Sequence, residues 1–129
     1  MKTSNGQPLS PHLQIYRLPL TAWISIVHRA TGVVLSFAAI VMVWLLASAA
    51  SGPASYNSVY LHLASWYGQL FLFGVTFSLY IHFCNGIRHL FWDVGIGFDL
   101  DVADRTAKLA IVAAILLTCA TWLIAINAG

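Results

Sequence analysis

Three apolar stretches, each long enough to cross a lipid bilayer, restrict the fold of this chain more than any other feature. They cover about residues 22–50, 62–92 and 107–127, and a membrane-spanning helix requires roughly 20 predominantly apolar residues. Backbone polar groups in hydrocarbon must be satisfied within the segment, which favours the α-helix. We therefore predict an all-α integral membrane protein with three transmembrane helices, forming a single membrane-anchor domain over 1–129 with an N-terminal arm at 1–21.

The scarcity of charged residues limits where chemistry can occur. Only 8% of the 129 residues are charged, whereas a soluble domain carries about 25%. The chain is too short to add a sizeable soluble domain to its membrane helices, so water-soluble catalytic machinery must lie on another polypeptide. We expect membrane lipid around the chain and no nucleic-acid partner. Cys84 and Cys119 form no C-x-x-C motif, so neither a disulfide framework nor covalent haem attachment is indicated.

The distribution of cationic residues predicts the orientation of the helices. All of them lie in the arm, near the start of the first stretch or around the 93–107 loop: Lys2, Arg17, Arg29, Arg88, Arg105 and Lys108. Because cytoplasmic segments carry the excess of positive charge, the arm and this loop are expected in the cytoplasm or matrix, and the C-terminus in the periplasm. The N-terminus has no signal-peptide pattern. We expect a bacterial inner-membrane protein, or its mitochondrial equivalent, with a soluble partner docked on the charged side.

The first stretch opens with a polar group formed by Ser25, His28 and Arg29. Ser25 and Arg29 are four residues apart and share a helix face, with His28 on a neighbouring face. An arginine here can simply anchor the helix at the membrane interface. A hydroxyl beside a guanidinium can also donate hydrogen bonds to a carbonyl ligand in a low-dielectric pocket. The spacing alone leaves both interpretations open.

The second stretch ends with a polar stripe. At about 100 degrees per residue, four residues fall on one helix face: His82, Gly86, His89 and Asp93. Arg88 points about 120 degrees away. His82 lies roughly 15 Å from the end of the stretch, near the bilayer middle, where ionisable groups mark functional sites. It can be a core histidine bonded to a neighbouring helix, or an axial ligand of b-type haem for which Gly86 leaves room. The spacing does not decide between these.

A haem with two histidine ligands would need the second ligand from another chain. His62 is roughly 30 Å from His82 along the helix, and His89 faces the same side of the same helix. His28 lies nearer the charged surface. A partner membrane subunit, or a second copy of this chain, is therefore predicted to supply that ligand.

Small residues recur along the third stretch at spacings of three and four: Ala103, Ala107, Ala110, Ala114 and Thr118. Small side chains at this spacing allow helices to approach closely. We predict that this face packs against another helix, and we assign it no chemistry.

The two polar groups together resemble the cytochrome b membrane-anchor subunits of succinate dehydrogenase. That family opens its first span with S-x-x-H-R-x-[ST], which Ser25 to Thr31 match. It closes its second span with H-x-x-x-G-x-R-H-x-x-x-D, which His82 to Asp93 match at every fixed position. The three predicted spans and the length of the chain are also similar, so the resemblance covers nearly the whole sequence.

The resemblance implies roles for individual residues. His82 would be an axial ligand of haem b, shared with a second anchor subunit that supplies the other histidine. Ser25 and Arg29 would bind ubiquinone, and the haem propionates would be contacted by His28, Arg29 and His89. Arg88 and Asp93 also match the second motif, and we expect them to organise the cytoplasmic end rather than touch a ligand.

The resemblance also implies a division of labour between chains. A flavoprotein subunit would oxidise succinate, and an iron–sulfur subunit would pass electrons to ubiquinone held by this chain, which packs with the second anchor subunit into a helical bundle. Such a complex serves both the tricarboxylic acid cycle and the respiratory chain. The alternatives are an anchor of a quinol:fumarate reductase and a non-catalytic membrane assembly or transport subunit. The latter explains three spans but not a mid-membrane histidine beside a surface Ser/Arg pair.

Overall fold

The computed structural model describes Gly6 and residues 17–128, most of which are helical. Four helices follow in order: α1 (Leu20–Ala50), α2 (Pro53–Ala64), α3 (Trp66–Asp93) and α4 (Leu100–Ala128). Of these, α1, α3 and α4 are long and apolar enough to cross a membrane, and no strand occurs within the described residues. The predicted all-α class with three long apolar helices is confirmed. Most of the predicted arm at 1–21 lies outside the described residues.

The second predicted stretch, from about residue 62, corresponds to α3, and a separate helix precedes it in the structure. Residues 53–64 form the separate helix α2, and α3 begins at Trp66. Gly52 has a φ of 114°, which only glycine adopts readily, and Pro53 then starts α2 at a position where proline needs no hydrogen-bond partner. The Ser65 side chain accepts a 3.2 Å hydrogen bond from the Gly68 amide and caps α3. Hydropathy does not detect these caps, because they depend on single side chains.

Helix α4 begins at Leu100, earlier than the predicted start at about residue 107. The Asp99 carbonyl accepts a 2.8 Å hydrogen bond from the Ala103 amide, and the Asp101 carboxylate lies in the first turn, where the helix dipole favours negative charge. Lys108 and Asp104 then form a 2.6 Å ion pair along the helix. Charged residues therefore form the first turns of α4. The prediction from hydropathy assigns them to the preceding loop.

Helix α3 packs antiparallel to both α1 and α4. Near one end, the Asn85 amide donates to the Ile24 carbonyl at 3.4 Å, and the Arg88 guanidinium donates to the Ala103 carbonyl at 3.0 Å. The start of α1, the end of α3 and the start of α4 thus meet there, and we call this the charged end. It collects every lysine, arginine and aspartate of the described part: Arg17, Arg29, Arg88, Asp93, Asp99, Asp101, Asp104, Arg105 and Lys108.

The small-residue face of α4 forms part of the interior. Its members are all buried: Ala103, Ala107, Ala110, Ala114 and Thr118. Since α4 packs mainly on α3, these small side chains allow the two helices to approach closely. The predicted packing role is confirmed.

The outer surface of the three long helices is strongly apolar. Only 6% of the most apolar 18-residue segment of α1 is buried inside the chain. The corresponding share is 17% in α3 and also in α4. Large side chains such as Phe37, Ile40 and Val43 are well exposed. A surface of this kind is stable only against lipid or other apolar protein, so the chain is a multi-pass membrane protein.

Candidate functional site

Three imidazole rings come together where α1 packs on the second half of α3. The rings of His28 and His82 are stacked, with centroids 3.9 Å apart and planes inclined by 13°. The His89 ring lies 5.0 Å from that of His28. His82 and His89 are two helical turns apart and share a face, and the structure turns that face toward α1. Three of the predicted site residues are therefore brought together.

The His82 ring is held from α1 through its Nδ1 atom. This atom lies 3.1 Å from the backbone carbonyl of His28 and 3.1 Å from the hydroxyl oxygen of Thr31. These contacts are the bond to a neighbouring helix that one interpretation of the sequence predicts. The other ring nitrogen, Nε2, forms no hydrogen bond with any described residue. The ring is thus fixed to α1 while one nitrogen stays available to a ligand, and the two interpretations of His82 are compatible.

Two glycines near His82 have different surroundings. A Cβ atom at Gly86, one turn along α3, would meet nothing within 4 Å, so the space expected on this side of the stripe is open. A Cβ atom at Gly32 of α1 would lie 3.3 Å from Cε1 of His82. Close packing of α1 on the His82 ring therefore depends on Gly32. The sequence analysis did not single out Gly32, and the available signal was its position directly after Thr31, the last residue of the first motif.

The ring of His28 carries a buried polar atom without a partner. Its Nδ1 atom forms no hydrogen bond. Every other buried side-chain nitrogen or oxygen atom in the described part of the chain has a hydrogen-bond partner. Buried polar atoms are nearly always satisfied. An orphaned nitrogen beside His82 is therefore a place where a polar group from outside the chain could bind.

Ser25 and Arg29 are both exposed on the outer surface of α1, one helical turn apart. The Arg29 guanidinium donates a long hydrogen bond, 3.4 Å, to the Ser25 backbone carbonyl. The Ser25 hydroxyl forms no hydrogen bond within the described residues, and Arg29 makes no ion pair there. The shared face predicted from their spacing is present. Both side chains keep donors that could serve a ligand outside the chain.

A polar network at the charged end connects all three long helices. The Arg88 guanidinium donates to the side chain of Asn85, to the carbonyl of Ala103 at 3.0 Å and to the hydroxyl of Thr106 at 3.2 Å. Asn85 in turn donates to the Ile24 carbonyl of α1 at 3.4 Å. Arg88 and Asn85 are 7% and 1% exposed, so the network is internal. The expectation that Arg88 organises this end is confirmed. The sequence did not predict the part played by Asn85.

Asp93, the last residue of α3, is exposed. No group of three or more histidine, cysteine or acidic side chains within residues 17–128 could hold a metal ion. A metal at His82 would therefore need further ligands from a prosthetic group or from outside the described chain.

Comparison with known proteins identifies the family. The succinate dehydrogenase/fumarate reductase transmembrane subunit family matches residues 3–121, which include both polar motifs. The chain belongs to this family. The resemblance noted from the motifs is thereby confirmed, and the family is one of membrane-embedded subunits, in agreement with the three long apolar helices.

Relatives within the succinate dehydrogenase/fumarate reductase transmembrane subunit family match over most of their length. The succinate dehydrogenase cytochrome b556 subunit of Rickettsia felis is 40% identical over 119 residues, covering 92% of both chains. The protein of the same name from Paracoccus denitrificans is 36% identical over 119 residues, again covering 92% of both. The cytochrome b560 subunit of Reclinomonas americana is 34% identical over 125 residues, covering 92% of this chain and 86% of its own.

Proposed function

We propose that this chain is the haem b- and quinone-binding membrane anchor of a succinate dehydrogenase, passing electrons from an iron–sulfur subunit to ubiquinone. The family and the names of the relatives support this complex. The observation that carries the haem site is the His82 ring, which is bonded to α1 through Nδ1 and has no partner at Nε2 within the described residues. In this role the whole chain acts as one membrane-anchor domain.

The residues around His82 fit a haem. A neutral imidazole whose Nδ1 donates to a carbonyl has a lone pair on Nε2, which is the form that binds iron. The open space beside Gly86 can accept a flat group, and the orphaned Nδ1 of His28 can bond to a polar substituent. When bound, haem b would supply a one-electron redox centre inside the membrane. A second histidine ligand would come from a second anchor subunit, which would cover part of the exposed apolar surface.

The polar side chains between His82 and the charged end suit the haem propionates. His28 and His89 lie on that side, with ring centroids 5.0 Å apart, and Arg29 is exposed without a carboxylate partner in the described residues. Guanidinium and imidazolium groups form short, charge-assisted hydrogen bonds with carboxylates. These three residues would therefore orient the propionates and balance their charge.

Ser25 and Arg29 would hold the substrate quinone near the charged end. Their hydroxyl and guanidinium donors can bond to a quinone carbonyl and stabilise the negative charge that develops on its oxygen during reduction. Two electrons and two protons convert the quinone to quinol. A site at the charged end takes these protons from the adjacent water and lies where an iron–sulfur subunit would dock.

The orientation and the partners follow from the same placement. The charged end would face the cytoplasm of a bacterium, or the mitochondrial matrix, with the C-terminus of α4 in the periplasm or its equivalent. The iron–sulfur subunit would bind at the charged end and carry the flavoprotein subunit, where succinate is oxidised. Lipid would cover the helix surface that the second anchor subunit leaves exposed.

The absorption spectrum of the purified complex tests the haem assignment. We expect His82→Ala to abolish the b-type haem bands, because the variant lacks the proposed iron ligand. His62→Ala is the matched control: His62 lies at the junction of α2 and α3, where its Nδ1 atom is 2.8 Å from the Tyr67 hydroxyl, and its removal should leave the bands intact. Unchanged bands in a fully assembled His82→Ala complex would overturn the assignment.

A further inference from the structure

The hydrogen-bond geometry around Thr31 determines which nitrogen of His82 carries the proton. The Thr31 hydroxyl lies 2.9 Å from the carbonyl of Val27 and 2.9 Å from that of His28. A hydroxyl has one proton, and that of Thr31 is donated in a hydrogen bond to one of these carbonyls. Toward Nδ1 of His82, at 3.1 Å, the hydroxyl oxygen can therefore only act as an acceptor. The second neighbour of Nδ1, the carbonyl of His28 at 3.1 Å, is also an acceptor. Both neighbours require a proton on Nδ1, which leaves the lone pair on Nε2.

Packing also restricts the His82 ring. The His28 ring covers one of its faces at 3.9 Å between centroids. The backbone of α1 approaches its edge at Gly32, where a Cβ atom would lie 3.3 Å from Cε1. Thr31, only 8% exposed, is buried between the helices. The ring therefore has little freedom to turn, and α1 sets its direction although His82 belongs to α3.

We propose that Thr31 and Gly32 are positioning residues for the iron ligand. The Thr31 hydroxyl, together with the His28 carbonyl, holds the proton of His82 on Nδ1, and the missing side chain at Gly32 lets the ring pack against α1 with Nε2 directed away from it. An imidazole that donates its other N–H to an acceptor is a more basic ligand and has a fixed orientation. This inference rests on the proposed haem-binding function and extends it to two residues of the neighbouring helix.

The test uses Thr31→Val in the assembled complex, because valine keeps the shape of threonine but has no acceptor oxygen. We expect the variant to assemble with normal flavin content and to lose haem to excess apomyoglobin about tenfold faster, since removing such outer partners weakens metal sites by about 10- to 100-fold. The midpoint potential of the haem should become more positive, because a less basic imidazole stabilises the oxidised iron less.

Two control variants separate ligand positioning from helix packing. Thr31→Ser keeps the hydroxyl and should retain the wild-type potential and rate of haem loss. Ser36→Ala removes a hydroxyl of α1 whose one hydrogen bond within the described residues is donated to the backbone carbonyl of Gly32, at 2.9 Å, and it should change neither quantity. Gly32→Ala forces the ring to shift by a few tenths of an ångström, so it should accelerate haem loss even though Thr31 is intact.

The possible results distinguish failure of the positioning role of Thr31 and Gly32 from failure of the haem assignment. A wild-type potential and rate of haem loss in Thr31→Val would overturn the inference and leave the haem assignment standing. Lower thermal stability of Thr31→Val without a change in potential would overturn it as well, because Thr31 would then be a packing residue only. A wild-type complex that contains no haem would overturn the proposed function and the inference together.

Discussion

At the scale of single residues, the side chains proposed to bind quinone point out of the chain. Arg29 and Ser25 are exposed on α1, and the space beside Gly86 is open. Such positions contribute little to the internal packing of this chain. Substitutions there can therefore test the proposed ligand binding while the fold is retained.

Arg29→Ala should lower quinone reduction by the complex about 10- to 100-fold, because a hydrogen bond from a charged group contributes about 1.5–3 kcal/mol. Succinate oxidation with an artificial soluble acceptor should be unchanged, since that site lies on another subunit. Steady-state assays with the two acceptors measure both rates. Arg105→Ala is the control, since Arg105 is also exposed at the charged end. Unchanged quinone reduction in Arg29→Ala would contradict the quinone role, whereas equal loss of both activities would indicate failed assembly instead.

Gly86→Ala should reduce the haem content per flavin severalfold, because a methyl group would occupy space proposed for the haem and overpacking costs about 1–3 kcal/mol. Gly74→Ala, in the same helix, is the matched control. A Cβ atom at either position meets nothing within 4 Å in this chain, so neither change should disturb its fold. Haem content is read from the absorption spectrum of the purified complex. Equal haem content in the two variants would contradict the proposed placement of the haem beside Gly86.

At the scale of helices, the buried network of Arg88 and Asn85 determines how α1, α3 and α4 meet. Arg88 bonds to two residues of α4, Ala103 and Thr106, and through Asn85 it is linked to the Ile24 carbonyl of α1. Its guanidinium also lies 4.8 Å from the ring centre of Trp92, within the range of a cation–π interaction. The network thus holds the part of α1 that carries His28 against the part of α3 that carries His82.

Arg88→Ala should destabilise the protein by about 2 kcal/mol, because it removes several hydrogen bonds between helices and leaves Asn85 with an unpaired acceptor. The midpoint of thermal unfolding in detergent should fall, and fluorescence-detected size-exclusion chromatography after heating measures it. The same experiment on Arg105→Ala provides the reference, since that exposed side chain lies outside the network. A midpoint that falls equally in both variants would show that the network has no special role.

At the scale of the whole molecule, the separation of charge defines two ends. All aspartates and all described cations lie at the charged end, while the junction of α1 and α2 and the C-terminal half of α4 have none. The exposed middle carries many large apolar side chains. This arrangement fits a protein that crosses the bilayer and presents one charged end to a soluble partner.

The orientation can be measured with single cysteines in a background of Cys84→Ser and Cys119→Ser. Asp99→Cys, at the charged end, should react with a membrane-impermeant maleimide in inside-out vesicles and not in intact spheroplasts. Asn57→Cys, in α2, should show the opposite pattern. Both residues are exposed in this chain. Both variants should react after denaturation, which controls for labelling chemistry. A reversed pattern would contradict the cytoplasmic placement of the charged end.

The sequence predicted features that follow a helical repeat, and it did not predict helix boundaries that depend on single residues. The buried face of α4, from Ala103 to Thr118, follows from the helical period alone. The separate helix α2 was not predicted, since one serine hydroxyl at Ser65 caps α3 and separates the two helices, and hydropathy averages over it. The early start of α4 was missed because Asp101 and Asp104 look like loop residues, yet the helix dipole and the pair with Lys108 stabilise them in the first turns.

The sequence by itself determined the three apolar helices, the charged end and the grouping of His82, Gly86, His89 and Asp93 on one face, because hydropathy and helical period are local properties. Only the tertiary structure decided that this face meets α1, that Nδ1 of His82 bonds to the His28 carbonyl, and that Gly32 lets α1 pack against the ring. The physical reason is that atomic contacts depend on the rotation and separation of packed helices. Many side chains together determine this rotation and separation, so no local sequence pattern predicts them.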